Sequence, residues 1–337
     1  MHAPTECEPA ATPEVLAARA QPGSMVRVRR VVTVVFYAIV AALLALYVAR
    51  MDFAALARIR IDWRWFGTAL VVGVAQRLLI PLTWVLMLRN LGVNVGRYAN
   101  FNFVYAKAWL GRYMPGKVAM VAARVYFAEE LGASRRVVAV SSVAELGAQL
   151  LVMASAGVIG IASLARSFET FAPYRPVTYA MIGVLAFVLW PPVFNRLMRF
   201  AFVLLRRPVD AQPTVSAGTL AWAVLGFSWV SAATGVLAVL LAASVDPVAF
   251  EYPVFIWGAY NIAGALGMAA VFAPSGLGAR EAVQMPLFLL VFSPEAALAI
   301  AVVSRLAELV IDALFYGVSM LAARRARNAM SPATSSK

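Results

Sequence analysis

The run Leu220–Val245 holds no charged side chain, and it is one of several apolar runs of about 20 residues in this chain. A helix rises 1.5 Å per residue, so about 20 residues cross a hydrocarbon core of about 30 Å. Lipid offers no hydrogen-bonding partner, so a chain built of such runs must satisfy its backbone internally, as helices do. Composition agrees: 63% of the 337 residues are hydrophobic and only 13% are charged. A soluble domain uses roughly a quarter charged residues. The expected spans are Val31–Ala49, Trp65–Leu88, Val137–Leu164, Val177–Trp190, Leu220–Val245 and Ala297–Ala322. The fourth is expected to run on past Pro191 and Pro192 toward Leu205 as a kinked helix. The expected fold is therefore an all-α, polytopic membrane protein with about six transmembrane helices. Residues 1–25, rich in Ala, Pro and Glu, read as a disordered cytoplasmic tail. Residues 26–325 form one transmembrane domain, and 326–337 a C-terminal tail. The run Val31–Ala49 is longer than a signal-peptide core and lacks a small-x-small cleavage site, so it reads as a retained span.

The net charge of +13 does not point to nucleic acid, because the arginines lie between apolar runs rather than on one soluble face. They read as topology determinants and contacts to anionic lipid. Most fall on one side if both termini are cytoplasmic, which predicts a multi-pass protein of the cell inner (plasma) membrane. The loop Arg50–Arg64 is an exception, offset in part by Asp52 and Asp62. Cys7 and His2 are the only cysteine and histidine. That excludes a disulfide framework, thiolate metal clusters, most zinc sites and both Ser-His-Asp and Cys-His catalysis. No metal or other cofactor is expected. Ser275 has no histidine to activate it, and Gly276-x-Gly278 has no βαβ unit around it to make a dinucleotide site. The chain is not expected to be an enzyme.

Two apolar regions do not read as simple spans. Tyr98–Ala128 is interrupted by Met114-Pro115-Gly116 and carries Lys107, Arg112, Lys117 and Arg124. Pro253–Phe292 is interrupted by Ala273-Pro274-Ser275-Gly276-Leu277-Gly278. Proline removes a donor and glycine weakens a helix, so the chain unwinds at both places. Unwound backbone at membrane depth is tolerated only against protein or a water-filled cavity. Both regions are expected to be re-entrant helix–turn–helix hairpins.

The two regions belong to an internal repeat. Val140-Ser141-Ser142-Val143-Ala144-Glu145-Leu146 matches Val303-Ser304-Arg305-Leu306-Ala307-Glu308-Leu309. Upstream of each lie a break and a cation: Pro115, Gly116 and Arg124, then Pro274, Gly276 and Arg280. The repeats run 31–164 and 177–322. Each holds two spans, a hairpin and a third span. Three crossings is an odd number, so the second copy must enter from the opposite side. Inverted repeats with broken helices at the midplane are a transporter architecture.

A charge at the bilayer centre costs at least about 2.5–3.5 kcal/mol. On the last span Arg305, Glu308 and Asp312 fall at i, i+3 and i+7, on one face. Arg305 can pair with Glu308, which leaves Asp312 to Arg280 or Arg77. Glu145 lies on the equivalent helix with Ser141 and Gln149 a turn to either side. These charges read as a polar cavity for an anionic headgroup. Arg112, Lys117, Arg124 and Arg280 supply the positive charge, and helix N-termini beside the breaks add backbone donors. Glu145, Glu308 and Asp312 orient those cations or titrate as access alternates. The plainer reading is that the charges only pair with one another and hold the bundle together. Lys107 reads as snorkelling to the interface. Trp63, Trp65, Trp109, Trp190 and Trp257 read as interfacial or packing residues.

The segment Arg112-Tyr113-Met114-Pro115-Gly116-Lys117 with Arg124 resembles the first motif of the lysylphosphatidylglycerol synthase transmembrane region, a flippase-like membrane family. Pro274-Ser275-Gly276-Leu277-Gly278-Ala279-Arg280-Glu281-Ala282 resembles its second, more specific motif, P-G-G-L-G-x-R-E-A. The likeness covers roughly residues 30–325. It departs from the motif at Ser275, where the family has glycine, and a stiffer turn is expected there. Two-part members carry a soluble aminoacyl-transfer domain after this region. Here fifteen residues follow the last span, so lysyl-lipid synthesis is not expected. The resemblance implies movement between leaflets of an anionic or aminoacylated phospholipid, or of a polyprenyl- or hopanoid-type lipid. It makes membrane lipids the partners and adds Glu281 to the headgroup pathway, which also includes Arg305 of the last span. The alternative is a non-catalytic membrane partner of a lipid-modifying or glycosyltransferase enzyme. A membrane-embedded transferase, using Glu145, Glu308 or Asp312 as base, ranks last.

Overall fold

The computed structural model describes residues 60–113, 118–167, 173, 175–204, 215–270 and 273–328. The expected N-terminal tail and first span lie outside the described residues, as do Met114, Pro115, Gly116 and Lys117 of the first break and residues 329–337. The described chain forms the helices α1 (Trp63–Asn90), α2 (Tyr98–Trp109), α3 (Val118–Glu129), α4 (Arg135–Ser167) and α5 (Arg175–Val188), followed by α6 (Pro191–Leu204), α7 (Ala217–Ala243), α8 (Pro253–Ala269), α9 (Ala279–Phe288) and α10 (Pro294–Asn328). No strand occurs among the described residues.

Three helices, α1, α4 and α7, are long and apolar enough to cross a membrane. A fourth crossing is counted if α5 and α6 together make one span, but they meet at 75°. The bend expected at Pro191 and Pro192 is present, and at 75° it divides the region into two helices. Pro191 and Pro192 lack donors, and the ring of Pro191 disfavours helical backbone at Trp190. Asn195 of α6 then clips the start of α7, donating to the Val215 carbonyl at 2.9 Å and accepting from the Val215 N–H at 3.1 Å. The last helix, α10, has 35 residues, ample length to cross, with charged residues at its centre.

The broken regions are short pieces. Helices α2 and α3 have 12 residues each, about 18 Å of rise. Helices α8 and α9 have 17 and 10 residues, about 25 and 15 Å. None matches the roughly 30 Å of a hydrocarbon core. Within each region the two pieces pack against each other, α2 on α3 and α8 on α9.

Element order repeats. A long helix, a short one, a 3₁₀ turn, a second short one and a long one make up α1–α4 and again α7–α10, the turns being Leu110–Tyr113 and Pro274–Gly276; the second set has a further 3₁₀ turn, Pro247–Phe250, after its leading helix. Packing between the two sets is reciprocal. Helix α4 packs on α8 of the other set, α10 packs on α2, and the two leading helices α1 and α7 pack on each other. Small residues permit the closest approach. Gly160 of α4 faces Gly258 of α8, where an added Cβ would meet backbone on either side. Interfaces between membrane helices rely on such residues because lipid supplies no hydrophobic drive.

The polarity pattern runs opposite to that of a soluble bundle. On α10, Ser304, Glu308 and Asp312 are buried while Leu306, Leu309 and Leu314 are exposed. Trp222, Leu225, Trp229 and Val236 of α7 are likewise exposed. In water such a surface would drive aggregation, whereas in lipid it is the favoured outer face.

Candidate functional site

In the first set of helices, Arg124 of α3 and Glu145 of α4 are each 1% exposed and form an ion pair. Tyr105 of α2 donates its hydroxyl to Glu145 Oε1 at 2.6 Å. The Arg124 guanidinium lies over the Tyr105 ring, 4.2 Å from its centroid, and 5.0 Å from that of Trp84. Trp84 in turn donates to Ser141 at 3.1 Å. A buried charge is tolerable only when paired and hydrogen-bonded, and here every oxygen of Glu145 has a donor.

The second set rebuilds this trio. Arg280 of α9 pairs with Glu308 of α10. Tyr260 of α8 reaches Glu308 Oε1 at a long 3.5 Å. The Arg280 guanidinium lies 4.2 Å from the centroid of the Tyr260 ring. Backbone geometry places Arg280. The break holds Ser275, Gly276 and Gly278 at φ 52, 69 and 82°, the left-handed region that glycine enters freely and other residues enter at a cost. Gly276 also packs so close to the Gly267 backbone that an added Cβ would sit 2.8 Å from the Gly267 carbonyl oxygen. The Gly278 N–H donates to Glu281 at 2.7 Å, which occupies that one donor at the helix start. Glu281 also pairs with Arg305, which reaches Glu308 at 3.4 Å. The expected Arg305–Glu308 contact is present, but Glu281 is the other partner of that guanidinium.

Asp312 joins the two sets. Its Oδ1 accepts from Arg77 Nε at 3.0 Å and from Trp109 Nε1 at 3.1 Å. Its Oδ2 accepts from the Tyr113 hydroxyl at 2.7 Å and from Arg112 Nη1 at 3.4 Å. Of the two partners expected for Asp312, Arg77 is the one found; Arg280 is engaged elsewhere. The guanidiniums of Arg77 and Arg112 lie 4.9 and 4.7 Å from the Trp109 ring centroid. Trp109 is buried in the core, as its packing reading expects, and is also part of the charged cluster.

A cavity of about 130 Å³ lies among these groups. Its lining includes Arg77, Tyr105, Arg112 and Glu145 from the first set and Tyr260, Ser275, Arg280 and Glu308 from the second. Gln76, Gln149, Ser231, Thr234 and Asn261 add neutral polar groups. Formal charges in the cluster count five guanidiniums (Arg77, Arg112, Arg124, Arg280, Arg305) against four carboxylates (Glu145, Glu281, Glu308, Asp312). One positive charge is left over. Nε and Nη2 of Arg280 have no acceptor among the described residues. These two N–H groups form the side-on fork of a guanidinium, the geometry that grips a carboxylate or phosphate with two parallel bonds. No three His, Cys, Asp or Glu side chains that could hold a metal ion come together among the described residues.

A family model described as the lysylphosphatidylglycerol synthase TM region matches residues 32–315. The chain belongs to this family. No curated protein matches the sequence. As a lysylphosphatidylglycerol synthase TM-region protein, it is a multi-pass helical membrane protein with a lipid-related function. The match contains both motifs and the whole cluster. Arg112, Arg124, Glu145, Arg280, Glu281, Arg305, Glu308 and Asp312 are all drawn together, whereas Pro115, Gly116 and Lys117 lie outside the described residues. Lys107 rests over the Phe127 ring at 3.7 Å, apart from the cavity lining. Sequence reasoning missed Tyr105, Trp109, Tyr113 and Tyr260. A signal for two of them existed in the TM-region repeat: Tyr105 precedes Arg124 by 19 residues, and Tyr260 precedes Arg280 by 20.

Proposed function

We propose that the protein moves an anionic or modified lipid between the leaflets of the cell inner membrane, its headgroup passing through the cavity shared by the two helix sets. The substrate is a phospholipid or a polyprenyl- or hopanoid-type lipid. The observation that carries this reading is that cavity. It is lined by Arg77, Arg112 and Arg280 from both sets and holds one formal positive charge in excess. A bundle needing only internal cohesion has no use for an unfilled arginine fork beside a polar cavity. The repeated element order and reciprocal packing support an inverted repeat, with α2–α3 and α8–α9 as re-entrant hairpins, and the Lys/Arg bias of the sequence supports both termini on the cytoplasmic side. Exchange of conformation between two such halves alternates access from one side to the other. No covalent chemistry is required, and the protein is proposed not to be an enzyme.

One observation favours the second reading, a non-catalytic membrane partner of a lipid-modifying or glycosyltransferase enzyme. Each of the four carboxylates already has an arginine partner, which is what a purely structural network would show. The experiment is reconstitution of purified protein in liposomes holding a labelled phosphatidylglycerol, with a membrane-impermeant quencher reporting leaflet exchange. Exchange above empty liposomes, slowed by Arg280→Ala in a folded protein, supports translocation. Absence of exchange for each candidate lipid with the fold intact overturns it, and co-purification with an enzyme then favours the partner reading.

A further inference from the structure

We infer that Asp312 is a resident counter-ion occupying the place of a phosphate oxyanion, and that the cavity's ligand is a phosphodiester lipid headgroup which takes over Arg77 and Arg112 from it. This inference rests on the reading of the cavity as a headgroup site.

Four donors, from α1, the end of α2 and the 3₁₀ turn that follows it, converge on the Asp312 carboxylate: Arg77, Trp109, Arg112 and Tyr113. Two guanidiniums with a phenol and an indole N–H form the charge-assisted set that recognises a phosphate. Arg77 and Arg112 line the cavity, while Asp312 is not among its lining residues and is 2% exposed. The cations thus stand between the carboxylate and the space a ligand would enter. Their orientation does not depend on Asp312 alone, because each also stacks on the Trp109 ring. Released by the carboxylate, they would remain in place for an incoming anion. Arg280 lines the same cavity, and two of its buried N–H groups have no acceptor among the described residues.

The architecture does not demand a carboxylate here. In the repeat, Glu145 corresponds to Glu308, so Asp312 corresponds to Gln149. Gln149 is neutral and lines the same cavity. The negative charge has been placed in one copy only, opposite the two arginines of the other set. A carboxylate competing for the same donors weakens the hold on a bound phosphate, so a transported headgroup can leave as well as enter.

The experiment measures binding of short-chain phosphatidylglycerol, and separately of inorganic phosphate, to the detergent-purified full chain. Asp312→Asn keeps the side-chain shape and removes the charge. Phosphatidylglycerol affinity is expected to rise about tenfold, the effect of one charge removed near a poorly solvated anion site. Unchanged or weaker binding by folded Asp312→Asn overturns the inference. If that variant does not fold, Gln149→Glu decides. It adds a carboxylate at the corresponding position, and weaker phosphatidylglycerol binding supports the inference while unchanged binding overturns it. Tightening seen with inorganic phosphate but not with the lipid assigns the site to a soluble anion and overturns the lipid assignment. Leaflet exchange is scored separately: its absence in the wild type counts against translocation and leaves the binding result to judge the counter-ion.

Discussion

Tyr105 and Tyr260 hold the same place in the two helix sets. Each lies beneath the guanidinium of its own arginine, 4.2 Å from ring centroid to guanidinium carbon in both cases, and each turns its hydroxyl to the glutamate that arginine pairs with. The trios differ in completeness. Tyr105 makes a 2.6 Å hydrogen bond and Tyr260 a 3.5 Å one. Arg124 also reaches Ser142 and keeps one N–H group without an acceptor, whereas Arg280 keeps two. The first trio is the more fully satisfied, and the second keeps donors available. The variants below separate these two roles.

Glu145→Ala leaves the buried Arg124 without its partner. Removing one member of a buried pair costs about 3–5 kcal/mol, while replacing both members with apolar residues of similar size is often close to neutral. Thermal melting in detergent is expected to show a large loss for Glu145→Ala. A smaller loss is expected for the double variant Arg124→Leu with Glu145→Leu. Equal losses would show that the pair itself, rather than the stranded charge, sets the stability.

Arg280→Lys keeps the charge and removes the planar fork. A lysine can still sit near Glu308, so the melting temperature should change little. Leaflet exchange should fall about tenfold, the loss of one charge-assisted hydrogen bond. A lysine variant with wild-type exchange would mean that charge alone suffices.

Gly258→Ala places a methyl against backbone. The added Cβ would lie 2.9 Å from the Ala156 carbonyl oxygen and 2.9 Å from the Gly160 nitrogen, and no side chain can move aside. Overpacking of this kind costs about 1–3 kcal/mol. The expected readout is a lower melting temperature for Gly258→Ala, beside little change for Gly183→Ala, where a Cβ would meet nothing within 4 Å.

Ser275→Gly restores the family's residue at a position whose φ is 52°. The left-handed backbone costs a residue with a Cβ roughly 1–2 kcal/mol, offset by the greater chain entropy that glycine loses on folding. Stability should be unchanged or higher by up to about 1 kcal/mol. Ser275→Val, branched at Cβ, should be clearly destabilised. A valine variant as stable as wild type would overturn this account of the turn.

The sequence by itself determined the solvent and the class of fold. Its runs such as Leu220–Val245 can only be helices in lipid, because backbone at that depth must bond within its own segment. It also located the break at Pro274–Gly278 and the charge-bearing helices, since proline, glycine and buried arginine each carry a local cost that is visible in one residue type. The order of break, cation and glutamate in each copy was legible for the same reason.

Pairing was decided only by the tertiary structure. Asp312 lies four residues beyond Glu308 on the same helix, yet the cations that reach it come from elements roughly 200 residues earlier, Arg77 of α1 and Arg112 beyond α2. No periodicity in α10 encodes that choice, which follows from α10 packing against the first half-helix of the other set. Tyr105, Trp109 and Tyr260 were obscure for a related reason. An aromatic ring is equally at home at a membrane interface, in a core or beneath a guanidinium, and only its neighbours distinguish these. Sequence thus determined that charges would be buried in lipid, and three-dimensional packing decided which cations each carboxylate would hold.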